Sequence, residues 1–232
     1  MIPFEVIRVR AEARRGGADA LAALLPVVKP RAALAELADD RVLAEMTKRV
    51  FQAGFVWSVI EAKWQGFEAA FLGFDPAALV FQPDDYWDGL ESDARIVRNG
   101  AKIRSVRENA GFVRAIAAEH GSFGRFLAAW PEEDEVGLLD RLGKRGSRLG
   151  GNSGQMLLRF LGYDAFVISG DVALCLRDAG VDIATEPKSK RDLARVQEAF
   201  NAWRAETNLP YTHLSRIAAM SIGEIRSERH ED

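Results

Sequence analysis

The chain has 232 residues, 48% of them hydrophobic, which is enough for one large domain or two small lobes with a substantial core. Its formal net charge of -3 gives no overall argument for a polyanionic partner, although a local basic face can still draw phosphate through counterion release. One cysteine, Cys175, excludes an internal disulfide and a multi-cysteine zinc site, and His120, His213 and His230 stand far apart, so neither a metal nor another cofactor is expected.

In chain order, the opening "MIPFEVIRVRAEARRGG" has no apolar core of a signal peptide, and no later stretch reaches membrane-spanning length. A cytoplasmic protein with no membrane association and no obligatory protein partner is expected. Residues 1–30 are punctuated by Pro and Gly and read as an N-terminal appendage to a helical domain over 31–232. From there, Leu34, Leu37, Val42, Leu43, Met46 and Val50 recur at helical spacing. Asp39 and Asp40 break that run and read as a cap for the next helix. Gly54 interrupts again before "FVWSVIEAKWQGFEAAF". "GFDPAALVFQPDDYWDGL" carries two Asp/Pro helix starts. "DARIVRNGAKIRSVRENAGFVRAIAAEHGS" reads as two helices bent at Asn99-Gly100, and "SFGRFLAAWP" as another, stopped by Pro131. The acidic "PEEDEVG" marks a seam between two lobes that are not independent domains. "DAFVIS" is the best strand candidate and is short. Cys175 sits among apolar residues at helical spacing, as a buried thiol would. The fold class predicted is all-α, with about ten helices at ordinary helix and loop lengths.

"KRGSRLGGNSGQMLLRFLG", residues 144–162, is the most informative stretch. Gly150 and Gly151 permit positive φ and leave no Cβ in the way of a ligand. Asn152 or Ser153 can cap a helix beginning at Gly154, and Gly162 can end it. Such a helix start offers unpaired N–H groups and the positive end of the helix dipole, which suit an anion. Lys144, Arg145, Arg148 and Arg159 surround it. The stretch is neither a P-loop nor a dinucleotide fingerprint. Two readings remain, a tight helix–helix connection or a helix-hairpin-helix that grips DNA phosphates without reading sequence. A second basic stretch, Arg95, Arg98, Lys102, Arg104 and Arg107, is either part of that surface or a solvated helix face.

Three segments together resemble the DNA-3-methyladenine glycosylase I family of the helix-hairpin-helix glycosylase superfamily. They are "LAEMTKRVFQAGFVWSVIEAKWQGFEAAFLGFDP", "ARIVRNGAKIRSVRENA" and "KRGSRLGGNSGQMLLRFLG", spanning roughly residues 42 to 165. The resemblance implies a two-lobed helical protein that binds damaged double-stranded DNA, flips the lesion into a pocket and hydrolyses the N-glycosidic bond of an alkylated purine. A DNA-binding protein on the same fold that does not cleave is the alternative. Trp57 matches the tryptophan that stacks on the extruded base, and Phe55 the apolar wedge; on residue type alone both also suit a core. Gly150, Gly151, Asn152, Ser153 and Gly154, with Arg148, match the phosphate grip. An indole face attracts a cationic base by about 0.5–2 kcal/mol.

The chain also departs from that family. Its zinc site needs Cys and His near both ends; here the N-terminal segment has neither, and "KRDLARVQEAFNAWRAETN" is expected to close the termini by packing. Where the family carries its base-recognising glutamate, this chain has Arg49, which cannot accept hydrogen bonds; Glu45 can pair with it one helical turn away. A catalytic Asp expected before Val172 falls at Ser169. Asp171 is a displaced general base or a helix cap, and Asp164 is an alternative. Tyr211 and His213, near a helix start, either face a base and its attacking water or are structural.

Overall fold

The computed structural model describes residues 1–222, and among these it is all-helical, with fifteen α-helices and no strand. In chain order they are α1 (Phe4–Arg15), α2 (Ala18–Ala23), α3 (Arg31–Ala35), α4 (Asp39–Gln52), α5 (Trp57–Ala62), α6 (Trp64–Ala70), α7 (Pro76–Val80), α8 (Asp84–Leu90), α9 (Gly100–His120), α10 (Phe123–Ala129), α11 (Glu135–Arg145), α12 (Asn152–Leu161), α13 (Gly170–Asp178), α14 (Lys190–Thr207) and α15 (Tyr211–Ser221). His230 lies outside the described residues.

The count exceeds the sequence expectation because stop signals cut long apolar runs into helices of five to seven residues. Asp75 caps α7, its Oδ1 accepting from the Ala77 and Ala78 amides at 2.8 and 3.3 Å, with Pro76 as the first helical residue. Asn99 does not bend a helix. It caps α9, its side chain accepting from the Lys102 amide at 3.1 Å, and residues before it are non-helical. Asp39 and Asp40 lie inside the first turn of α4, and Asp39 accepts instead from the Phe123 amide at 2.8 Å. "DAFVIS" forms no strand and is irregular backbone between α12 and α13. Side chains serve its amides: Thr212 Oγ1 accepts from Ala165 and Glu135 Oε2 from Phe166, at 3.1 and 2.7 Å.

Two compact units share the chain. One comprises Met1–Lys29, Pro131–Leu138 and the described residues from Gly162 onward; the other comprises Pro30–Trp130 and Leu139–Leu161. Residues 1–30 are not an appendage to the first unit. Phe4, Ile7 and Ala11 are fully buried in one apolar cluster with Phe166, Phe200, Trp203 and Leu214. Phe4 packs against Trp203 at 5.3 Å between ring centroids, and its amide donates to Glu206 Oε1 at 2.9 Å. Aromatic packing thus joins the N-terminus to α14. Cys175 is buried in the same cluster beside Ser221, and burial pushes its thiol up. A zinc site of the resembled kind does not fit residues arranged this way. Among the described residues, no group of three His, Cys, Asp or Glu is placed to hold a metal ion.

The second unit is built around α4 and α9, with α7, α10 and α12 packed on them. Phe51, Phe67, Phe71 and Phe74 fill its interior. Arg41 donates to the Gly73 carbonyl at 2.7 Å, fixing the left-handed turn at Leu72–Phe74 that follows α6.

Candidate nucleic-acid interface and base site

Apolar residues on α9 that face the core include Ile103, Val106, Ala110 and Val113, and the polar residues Lys102, Ser105 and Asn109 are buried with them. A polar group there must find partners. Asn109 finds them in the bend between α11 and α12: its Oδ1 accepts from the Ser147 amide at 2.7 Å and its Nδ2 donates to the Ser147 carbonyl at 3.0 Å. Both backbone groups of Ser147 are held by one side-chain amide, so α9 sets the position of the bend.

The bend itself follows from its glycines. Arg148 and Gly151 have φ of 60° and 59°. Leu149, fully buried, anchors the turn from below. A Cβ on Gly154 would lie 2.5 Å from the Leu149 carbonyl, so that glycine is required for closure, whereas one on Gly150 or Gly151 would meet nothing within 4 Å. Gly150, Gly151 and Asn152 are exposed and Ser153 is half-buried. α12 begins at Asn152, two residues earlier than the sequence suggests. Its first turn has amides without a helical partner.

The cations around the bend divide into paired and open ones. Lys144 pairs with Asp140 at 2.6 Å, and Arg145 with Glu119 at 2.9 Å. Arg148 is exposed, and its charge helps burial depress the Lys102 ammonium. In the second basic stretch, Arg95, Arg104 and Arg107 are bound to Asp93, Glu91 and Asp84 at 2.6–2.7 Å, as on a solvated helix face. Lys102 points inward. Its Nζ donates to the Ala53 and Phe51 carbonyls at 2.6 and 3.1 Å, closing the C-terminal end of α4, where a cation is favoured.

That arrangement shapes the loop between α4 and α5. Gly54 takes a φ of 77°, and Phe55, 40% exposed, lies with its ring centroid 4.3 Å from Lys102 Nζ. Phe55, Val56 and Val59 form an exposed apolar tip. Trp57, first residue of α5, is half-buried, with its ring 6.1 Å from that of Phe160 on α12. Sequence reasoning misses Phe160. Its signal is an exposed aromatic out of phase with the buried Leu157, Leu158 and Leu161 of α12.

Arg49 sits beneath these rings. It is 5% exposed, with its guanidinium carbon 3.7 Å from the Phe160 centroid and 5.3 Å from that of Trp57. Glu45 faces its Nε at 2.7 Å. Burial raises the Glu45 carboxyl and lowers the Arg49 guanidinium, each held against that trend by its partner's charge. Trp57, Phe55, Arg49 and the glycine bend therefore all belong to one unit.

The water-handling candidates belong to the other unit, and most have local partners. The Tyr211 hydroxyl donates to Asn201 Oδ1 at 2.9 Å, and burial pushes its phenol up to about 12. A ring nitrogen of His213 bonds the Pro26 carbonyl at 2.9 Å. Asp164 accepts from the Thr212 amide at 2.9 Å and pairs with Arg204 at 3.2 Å. Asp171 is exposed in the first turn of α13; Ser169 rather than Asp171 caps that helix, accepting from the Val172 amide at 3.2 Å.

An all-helical chain with an open glycine bend between α11 and α12 has the helix-hairpin-helix DNA glycosylase class of fold. Three solved structures share it. A 3-methyladenine DNA glycosylase I from Staphylococcus aureus has 21% identity and a TM-score of 0.50, over 71% of this chain and 88% of that one. A point mutant of the Staphylococcus aureus enzyme has 20% identity and a TM-score of 0.51, over 77% and 99%. A variant of 3-methyladenine DNA glycosylase I in complex with 3-methyladenine has 19% identity and a TM-score of 0.51, over 73% and 92%. Residues 34–138 match the family model for methyladenine glycosylases. The match takes in α4 to α10 and ends within α11, before the bend. No curated protein sequence matches the chain significantly.

Proposed function

We propose that the protein is a monofunctional DNA glycosylase that binds damaged duplex DNA, extrudes an alkylated purine and hydrolyses its C1′–N9 bond. One observation carries this reading: the exposed bend at Gly150 and Gly151 and the aromatic group of Phe55, Trp57 and Phe160 lie within a single packed unit. The bend, with Arg148, would hold the sugar-phosphate strand through backbone amides and charge. Phe55 would enter the gap in the base stack, and Trp57 would take the extruded base on its ring. In hydrolysis, the base departs with the electron pair of the C1′–N9 bond, a water oxygen bonds to C1′, and a water proton is released. An N3-alkylated purine already carries a positive charge and leaves neutral, so little proton donation is required.

Base release from methylated duplex DNA, beside a duplex-binding assay, tests the reading. The wild type releases methylpurine, and Trp57→Ala slows release by about tenfold or more, from the loss of stacking. Tight binding to methylated duplex with no base released contradicts the glycosylase and selects the DNA-binding alternative.

A further inference from the structure

We propose that Arg49 is a specificity-determining residue of the base site, selecting purines with a 6-oxo group, alkylated guanine over alkylated adenine. The proposal rests on the glycosylase reading above and names its substrate class. Arg49 occupies the buried stripe of α4 and is 5% exposed. Phe160 covers the guanidinium at 3.7 Å, and Trp57 lies 5.3 Å away. Glu45 engages Nε, but Nη1 is buried with no hydrogen-bond partner among the described residues. A guanidinium only donates. A buried donor of this kind is left unsatisfied until an acceptor arrives, and the ring beside it is the one proposed to stack on the base.

Base edges differ in what they offer that donor. Guanine presents O6 and N7 as adjacent acceptors, the pair that arginine matches, whereas adenine places the N6 amino donor beside N7. Alkylation at N3 leaves both edges intact. An adenine oriented toward Arg49 therefore sets an amino group against a donor, while a guanine satisfies it. Glu45, paired with Arg49, offsets the repulsion between the guanidinium and a cationic base. Phe160, stacked on the guanidinium, holds its plane and so makes the choice geometric as well as electrostatic.

Two measurements test this. In duplex DNA treated with a methylating agent, release of 3-methylguanine and 3-methyladenine is followed together. The wild type is expected to release 3-methylguanine about tenfold faster per adduct, the scale of one bidentate base contact. Arg49→Gln, which can accept as well as donate, brings the ratio near one. Independently, quenching of tryptophan fluorescence by free 3-methylguanine and free 3-methyladenine reports selectivity without catalysis, and on the wild type alone if the variant does not fold. Tighter binding of 3-methylguanine, abolished in Arg49→Gln, supports the assignment. Equal quenching, or a preference for 3-methyladenine in either assay, overturns it. Selective binding with neither base released keeps Arg49 as the selector and overturns the glycosylase reading instead.

Discussion

Arg49 on α4, and Lys102 and Asn109 on α9, are polar residues on helix faces that bury mainly apolar side chains. Each is tied to the candidate site. Arg49 stands out in the sequence as a cation where the resembled family has a glutamate. Lys102 reads there as part of a basic surface, because its charge masks the fact that its spacing from Val106, Asn109 and Val113 is that of the buried stripe. Asn109→Ala leaves the Ser147 amide and carbonyl without their partners. It is expected to lower stability by about 1–3 kcal/mol and to weaken duplex binding, which urea denaturation and a titration with duplex DNA would show. Unchanged stability would mean that the bend holds itself. Tyr211 gives a test by pH. Its phenol is raised from 10.0 to about 12, so the unfolded chain ionises first as pH rises. Its contribution to stability is whole below the unfolded value and is lost as pH climbs through the folded one. Thermal melts of the wild type should fall across that window more steeply than those of Tyr211→Phe.

At the scale of elements, caps and breakers are the readable part. The Asp75-Pro76 start and the glycine bend are both legible, because each depends on neighbours in sequence. The single start of α9 and the absence of a strand at residues 164–169 are not, because both depend on what the backbone amides meet across the fold. Within the bend, two glycines separate closure from binding. Gly154→Ala drives a Cβ into the Leu149 carbonyl and is expected to destabilise the hairpin. Gly150→Ala meets open space, so it should leave the melting temperature unchanged while weakening duplex affinity, by keeping a phosphate from the amides. If Gly150→Ala binds duplex like the wild type, the bend serves packing alone. Arg148→Ala should reduce the slope of log affinity against log salt by about 0.9, because one phosphate fewer is neutralised by the protein.

For the molecule as a whole, the helical class follows from periodicity, but the part played by the N-terminus does not. Residues 4–11 have mixed polarity, and only their packing on α14 and α15 reveals Phe4, Ile7 and Ala11 as core. Trp203→Ala opens a cavity beside Phe4 and Phe200 and is expected to cost about 3–5 kcal/mol, readable by denaturant titration. Among the described residues, no helix is long and apolar enough to cross a membrane. The proposed function depends on one act, the extrusion of a base by the unit that carries both Trp57 and the glycine bend. Emission of a 2-aminopurine placed next to an abasic-site analogue in duplex DNA reports it directly. Protein binding should raise that emission, less so for Phe55→Ala than for the wild type. Saturating binding with emission unchanged would contradict base extrusion by this protein.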